Sequence, residues 1–178
     1  MPTLRAAFFM RTIELETYND CWAGEFQREV VLLEAVLCEN LIRAHHIGST
    51  AIKGCWAKPV IDIALEVVSL NEIDRQSIQL ETPGYEAKGA FGIAGRRFFQ
   101  KGDDSRTHHL HAFELGHPDI DRHRLFVEYM NAHPDKVAEY SALKTELASR
   151  YRDSPEQYSA GKATFIDMIE SAAMKWKR

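Results

Sequence analysis

The chain has 178 residues, of which 45% are hydrophobic and 27% charged, with a formal net charge of −4. That length suits one domain with a core large enough to need no disulfide or metal staple. The balance excludes disordered, collagen-like and coiled-coil chains. The weakly acidic charge, with ten basic and ten acidic residues between Pro118 and Arg178, argues against a nucleic-acid polymer or an anionic membrane as partner.

Residues 1–11 read as a loose leader, with Met10 as an alternative start. Residues 12–178 read as a single domain, mixed α/β over 12–115 and three-helical over 116–178. Thr12 to Tyr18 alternates Ile13 and Leu15 with Glu14 and Glu16, which predicts a short half-exposed strand. Asn19 or Asp20 caps a predicted helix that starts near Trp22 and carries Phe26, Val30, Leu33 and Leu37 on one face. Arg43 to Ile47 predicts a strand that ends in the tight turn Gly48-Ser49-Thr50. Val60 to Val68 is almost continuously apolar and predicts a central strand buried on both faces, with Asp62 embedded in it. A short helix over Asn71–Leu80 and strands at 85–88, 97–100 and 107–115 follow. His117-Pro118 and His133-Pro134 open two helices, and Ser154-Pro155-Glu156-Gln157 reads as a capping box opening a third. Cys21, Cys38 and Cys55 form no C-x-x-C pair, which predicts reduced core or near-core thiols and a cytoplasmic setting. No segment has the roughly 18–20 apolar residues of a membrane span.

The segment of greatest chemical interest is His46-Ile47-Gly48-Ser49-Thr50 followed by Asp62. A glycine after a strand lets backbone approach a ligand, and successive N–H groups with the Ser49 and Thr50 hydroxyls suit phosphate oxygens. A carboxylate on the adjacent strand suits a divalent cation that accompanies those phosphates. The plain alternative is an ordinary turn beside a satisfied buried acid.

Several stretches resemble the GrpB family. They are His46 to Ile52, Ala57 to Ile63, Arg96 to Phe99, Thr107 to His111, the series Tyr140, Leu143, Lys144 and Leu147, and the series Tyr158, Lys162 and Phe165. The resemblance runs in order over about residues 12–172. It implies an α+β, nucleotidyltransferase-like mixed sheet flanked by helices, similar to the DNA polymerase beta superfamily. It further implies metal-assisted transfer of a nucleotidyl group to a small-molecule acceptor. The chain departs from that superfamily at Ala64, where a second strand acid is expected. Glu66 shares a face with Asp62 but stands about 13 Å along the strand, too far to share an ion. Lys53 and Cys55 stand where the family pattern has proline and leucine, and Val127 where it has arginine.

His109 and His111 alternate onto one strand face, and with His46 they are candidates to complete a metal site around Asp62. Magnesium or manganese is the expected ion, with zinc as a further candidate. A general-base role for His109 or His111 beside Asp62 is equally open, as is a pair of partly exposed strand histidines. Arg97 suits bidentate phosphate contact or a solvated strand edge. Lys162, on the inward side of its helix near Tyr158, must snorkel or meet an anion, and Lys144 is a weaker version of the same case. The expected nucleotide set is therefore Gly48, Ser49, Thr50, Arg97, Lys144, Tyr158 and Lys162. Trp22, Trp56 and Trp176 read as core or near-core, with base stacking an alternative for Trp56. The other functional expectations are a non-catalytic nucleotide- or coenzyme A-binding module and a metal-dependent phosphoester hydrolase.

Overall fold

A computed structural model describes residues 12–177; the expected leader lies outside the described residues. Five strands, β1 (Leu41–Ile47), β2 (Ile61–Val67), β3 (Tyr85–Ala87), β4 (Arg96–Lys101) and β5 (His108–Glu114), form one sheet in the order β1-β2-β5-β4-β3. Only β2 and β5 run parallel. The helices are α1 (Cys21–Leu37), α2 (Leu70–Glu81), α3 (Pro118–Ala132), α4 (Pro134–Arg150) and α5 (Pro155–Trp176).

The period-2 pattern of β2 sorts its residues onto two faces. Ile61, Ile63, Leu65 and Val67 pack against Trp22, Phe26, Leu33 and Leu37 of α1 and Ile73 and Leu80 of α2. The other face carries Asp62, Ala64 and Glu66, joined in register by Ile47 and His45 of β1 and by His109, His111 and Phe113 of β5. Ile120 of α3 covers part of it in a small cluster with Ile47, Ala64 and Phe113. One face therefore supplies the main core, and the other is left half-open for polar chemistry.

The C-terminal helices brace the loop after β1. Lys53 N–H donates to Asn131 Oδ1 (2.9 Å), Asn131 Nδ2 donates to Ala51 O (3.1 Å) and Trp56 N–H donates to Ser141 Oγ (3.1 Å). Ile52 and Cys55 are buried with Met130, Val137, Tyr140 and Ile169, and the side chain of Val127 packs against the same cluster.

Several expectations are corrected. Residues 12–18 form no strand; a single bridge joins Glu16 to Ala57, because no neighbour offers a longer ladder. Ile13 is nonetheless buried, and its N–H donates to Arg152 O (2.8 Å), so the alternation reports burial without a strand ladder. The first cap comes from Asn19, whose Oδ1 accepts from Cys21 N–H (2.9 Å). Ser154 makes no side-chain cap bond, and Pro155 alone marks the start of α5. Cys21 and Cys38 are exposed and only Cys55 is buried. Trp22 is core, whereas Trp56 and Trp176 are exposed. No described helix is long and apolar enough to cross a membrane.

Candidate functional site

The turn after β1 and the acid of β2 meet directly. Gly48 has φ 71° and ψ −172°, a backbone region open essentially to glycine. A Cβ there would lie 2.6 Å from Asp62 Oδ2, so the carboxylate rests against bare backbone. Ser49 to Ala51 form a short 3-10 turn directly after it.

Two histidines hold Asp62. His109 Nδ1–H donates to Asp62 Oδ1 at 3.0 Å, and His111 Nε2 lies 3.7 Å from the same oxygen. Burial by itself would raise the Asp62 carboxyl. The His109 hydrogen bond and the two imidazoles beside the carboxylate together outweigh burial and hold it well below the usual carboxylate range. Arg96 Nη1, which can only donate, faces His111 Nδ1 at 3.4 Å. That leaves the His111 hydrogen on Nε2, directed at Asp62. His109 Nε2 is buried and has no hydrogen-bond partner.

Lysines gather on the other side of the turn. Lys144 is only 1% exposed. Its Nζ donates to Ser49 Oγ (2.9 Å), to Cys55 Sγ (3.1 Å) and to Trp56 O, and lies 4.3 Å from the Tyr140 ring centroid. Burial lowers its pKa. Lys162 Nζ sits 4.5 Å from the Tyr158 ring centroid, and Lys58 Nζ lies 5.5 Å from the same ring. Burial, with Lys58 and Lys144 adding repulsion, lowers Lys162 to about 8, opposed only by Asp62. Burial also raises the Tyr158 hydroxyl to about 12. Lys144 and Lys162, both drawn down by burial and close enough to repel each other, make the surroundings of this turn electrostatically suited to a polyanion.

The structure thus brings together Gly48, Ser49, Asp62, His109, His111, Lys144, Tyr158 and Lys162. It separates three other candidates from them. His46 pairs with Ile63 and lies on the opposite face, stacked on Phe26 (4.9 Å between centroids). Its Nε2–H donates to Thr50 Oγ1 (3.0 Å), and burial lowers it to about 4. Thr50 is itself buried, with its hydroxyl engaged by His46 and by Val60 O (3.4 Å). Arg97 leaves the site face and forms a bidentate pair with Asp74 of α2 (2.6 and 2.7 Å). Glu66 does face the Asp62 side, but His45 Nε2 holds it at 2.6 Å.

Among the described residues, no three His, Cys, Asp or Glu side chains converge as a metal site requires. The donor chemistry, one carboxylate facing the turn, fits an ion whose other ligands are polyphosphate oxygens and water. It does not fit a two-ion cluster bridged by protein carboxylates.

Sequence reasoning missed Arg96, Lys58 and His123. His123 of α3 stands with its ring 5.8 Å from that of His111. Burial, then the charges of Arg122 and His111, lower it to about 4. The only signals were Lys58 inside the Ala57-Lys58-Pro59 stretch and Arg96 beside Arg97; nothing in the periodicity of α3 marks His123. His46 and His123 define an acid window. Between about pH 4 and the ordinary imidazole value of 6.5, the unfolded chain binds protons that the folded chain excludes. Stability therefore falls as pH is lowered through that window, by up to about 1.4 kcal/mol per pH unit for each group. Urea midpoints measured from pH 7 to 4 should show this slope, and His123→Gln should make it shallower.

A family model described as GrpB protein matches residues 12–172. The chain belongs to the GrpB family. It is 35% identical over 160 residues to the Glutamate-rich protein GrpB of Alkalihalophilus pseudofirmus, covering 87% of this chain and 92% of that protein. It is 45% identical over 168 residues to YqkA of Bacillus subtilis, covering 94% of this chain but 49% of that protein. The chain thus spans about half the length of YqkA. A protein named Dephospho-CoA kinase from Mycolicibacterium paratuberculosis is 27% identical over 180 residues, covering 87% of this chain and 44% of that one. The crystal structure of the conserved protein GrpB from Enterococcus faecalis superposes with a TM-score of 0.89 at 35% identity, covering 92% of this chain and 99% of that one. A structure of Cid1 in complex with the UTP analogue UMPNPP gives a TM-score of 0.51 at 12% identity, over 82% of this chain and 48% of that one. The GrpB fold here is accordingly a nucleotidyltransferase-like α+β fold.

Proposed function

We propose that this GrpB-family chain binds the polyphosphate of a nucleotide against the Gly48-Ser49 turn and transfers the nucleotidyl group to a small-molecule acceptor, in the cytoplasm. The observation that carries the proposal is the meeting of turn, acid and lysine. Gly48 abuts Asp62, and Lys144 Nζ bonds the Ser49 hydroxyl 2.9 Å away. The Cid1 structure with its UTP analogue shares the fold and supports the substrate class by analogy of fold.

In this reading the Gly48 and Ser49 backbone, Lys144 and Lys162 hold phosphate oxygens, and Tyr158 positions the Lys162 ammonium. The acceptor hydroxyl attacks the α-phosphorus, pyrophosphate leaves, and the hydroxyl proton goes to His109 Nε2, the atom left without a partner, while Asp62 accepts from His109 Nδ1–H. His111, fixed by Arg96, keeps the Asp62 carboxylate oriented. A magnesium or manganese ion that accompanies the polyphosphate would be held by Asp62 and would neutralise charge on the phosphates.

A second reading, a nucleotide- or coenzyme-binding module without catalysis, is favoured by Ala64 and by the engagement of Glu66 with His45. Thermal shift with ATP, CTP, GTP, UTP and coenzyme A, with and without magnesium or manganese, separates the two. The transferase reading expects stabilisation that needs both nucleotide and metal, with pyrophosphate released over a panel of small hydroxyl acceptors. Asp62→Asn should then weaken the metal-dependent affinity at least about tenfold, read as a smaller shift. Stabilisation by nucleotide alone, with no pyrophosphate, supports the binding module. An unchanged metal-dependent shift in Asp62→Asn overturns the placement of the site.

A further inference from the structure

The loop between β3 and β4 folds back over the face that carries Asp62. Ile93 packs against the Ile47, Ala64, Phe113 and Ile120 cluster. Phe91, two residues earlier, is 61% exposed and has φ 46°, which is rare for a bulky residue. Its neighbours hold it there. Arg96, itself buried, donates through Nε to Ala90 O (3.2 Å) and through Nη2 to Phe91 O (2.7 Å). The same guanidinium faces His111. The Phe91 ring stacks on Phe98 (5.0 Å, 25° between planes), and Phe98 contacts His109 (5.4 Å) and His111 (5.1 Å). A run of ring contacts thus leads from the Asp62 histidines to an open aromatic surface.

Apolar burial does not account for an exposed phenylalanine held in left-handed backbone, and such strain concentrates where a ligand is engaged. One surface of Phe91 rests on Phe98, and most of the side chain is open to solvent. A planar heteroaromatic ring matches an open aromatic surface, because offset stacking gains from both ring quadrupole and area. Lys144 and Lys162 at the turn supply the phosphate end of such a ligand.

We propose that Phe91 is a shelf on which the base of the bound nucleotide stacks, making it the residue that favours a nucleotide over bare polyphosphate. Arg96 is the positioning residue that sets the shelf and His111 together. The proposal rests on the nucleotide reading of the Gly48–Asp62 pocket.

Titration calorimetry of the full chain with ATP and with inorganic tripolyphosphate tests it. Phe91→Ala should weaken ATP about fivefold to a hundredfold and leave tripolyphosphate unchanged. Phe91→Tyr should retain ATP binding. Phe91→Gly relieves the left-handed backbone, so it should keep or raise the melting temperature while losing the same ATP affinity, which excludes misfolding as the cause. A Phe91→Trp variant should show indole quenching by ATP and none by tripolyphosphate. Equal ATP affinity in wild type and Phe91→Ala, with tripolyphosphate still bound, overturns the shelf and spares the phosphate site. Wild type that binds neither ligand overturns both.

Discussion

Gly48→Ala is expected to destabilise the folded chain by about 2–4 kcal/mol and to remove any stabilisation by ATP and magnesium. Two independent effects combine. The backbone at φ 71° and ψ −172° is open essentially to glycine. The new methyl would also stand 2.6 Å from Asp62 Oδ2 and 3.1 Å from Asp62 Cβ. Asp62 cannot simply rotate away, since His109 holds its other oxygen at 3.0 Å. Either the turn shifts or the Asp62–His109 bond breaks, and both disorganise the pocket. Gly54→Ala is the control: its φ is 76°, but nothing lies within 4 Å of its Cβ position. It should show only the backbone cost, about 1–2 kcal/mol, with ligand response intact. Urea denaturation of both variants, with thermal shift in ATP and magnesium, measures the difference. Indistinguishable behaviour of the two would mean that contact with Asp62 is immaterial.

The elements of this fold were legible because their periodicities are strong. The alternation in β2 and the apolar face of α1 each describe how a side chain meets the core, and burial enforces them. Residues 12–18 show the limit. Ile13 alternates because it is buried; its N–H bonds Arg152 O and Glu16 bonds Ala57, and neither contact extends into a ladder. Period records which side is covered and carries no information about whether a neighbouring strand exists.

The site was half legible, and the division follows sequence distance. Gly48 and Ser49 follow directly on β1, whose last residue Ile47 pairs with Asp62 of the adjacent β2, so a short motif captures them. His109 and His111 follow from strand alternation once β5 pairs beside β2. His46 adjoins the turn in sequence but pairs with Ile63, so the same alternation turns it away. Arg97 is likewise one residue from the site face, and the arginine that reaches His111 is its neighbour Arg96. Ranking among the lysines depended on α4 and α5 packing beneath the 48–58 loop, a contact between elements about 90 residues apart. That packing brings Lys144 Nζ within 2.9 Å of the Ser49 hydroxyl.

Lys144→Met is expected to abolish the ligand-induced shift while leaving the unliganded protein within about 1 kcal/mol of wild type. A buried ammonium that no carboxylate bonds carries an uncompensated desolvation cost. Lys144 Nζ donates to Ser49 Oγ, Cys55 Sγ and Trp56 O and faces the Tyr140 ring, none of them a carboxylate, and burial pulls its pKa down. Removing the charge relieves a desolvation penalty of several kcal/mol. It also removes charge-donated hydrogen bonds worth about 1.5–3 kcal/mol each and leaves the Trp56 carbonyl short of a donor. Methionine retains the apolar stem volume, so no large cavity opens. These opposing effects nearly cancel in the empty protein. They do not cancel once a polyanion is present, because the desolvated cation then gains its counter-charge. A lysine with a purely structural role would behave in the opposite way, with a lower urea midpoint and an unchanged response to ATP and magnesium. Measuring both quantities on one variant therefore decides whether the most buried cation among the described residues is held for folding or for an anion.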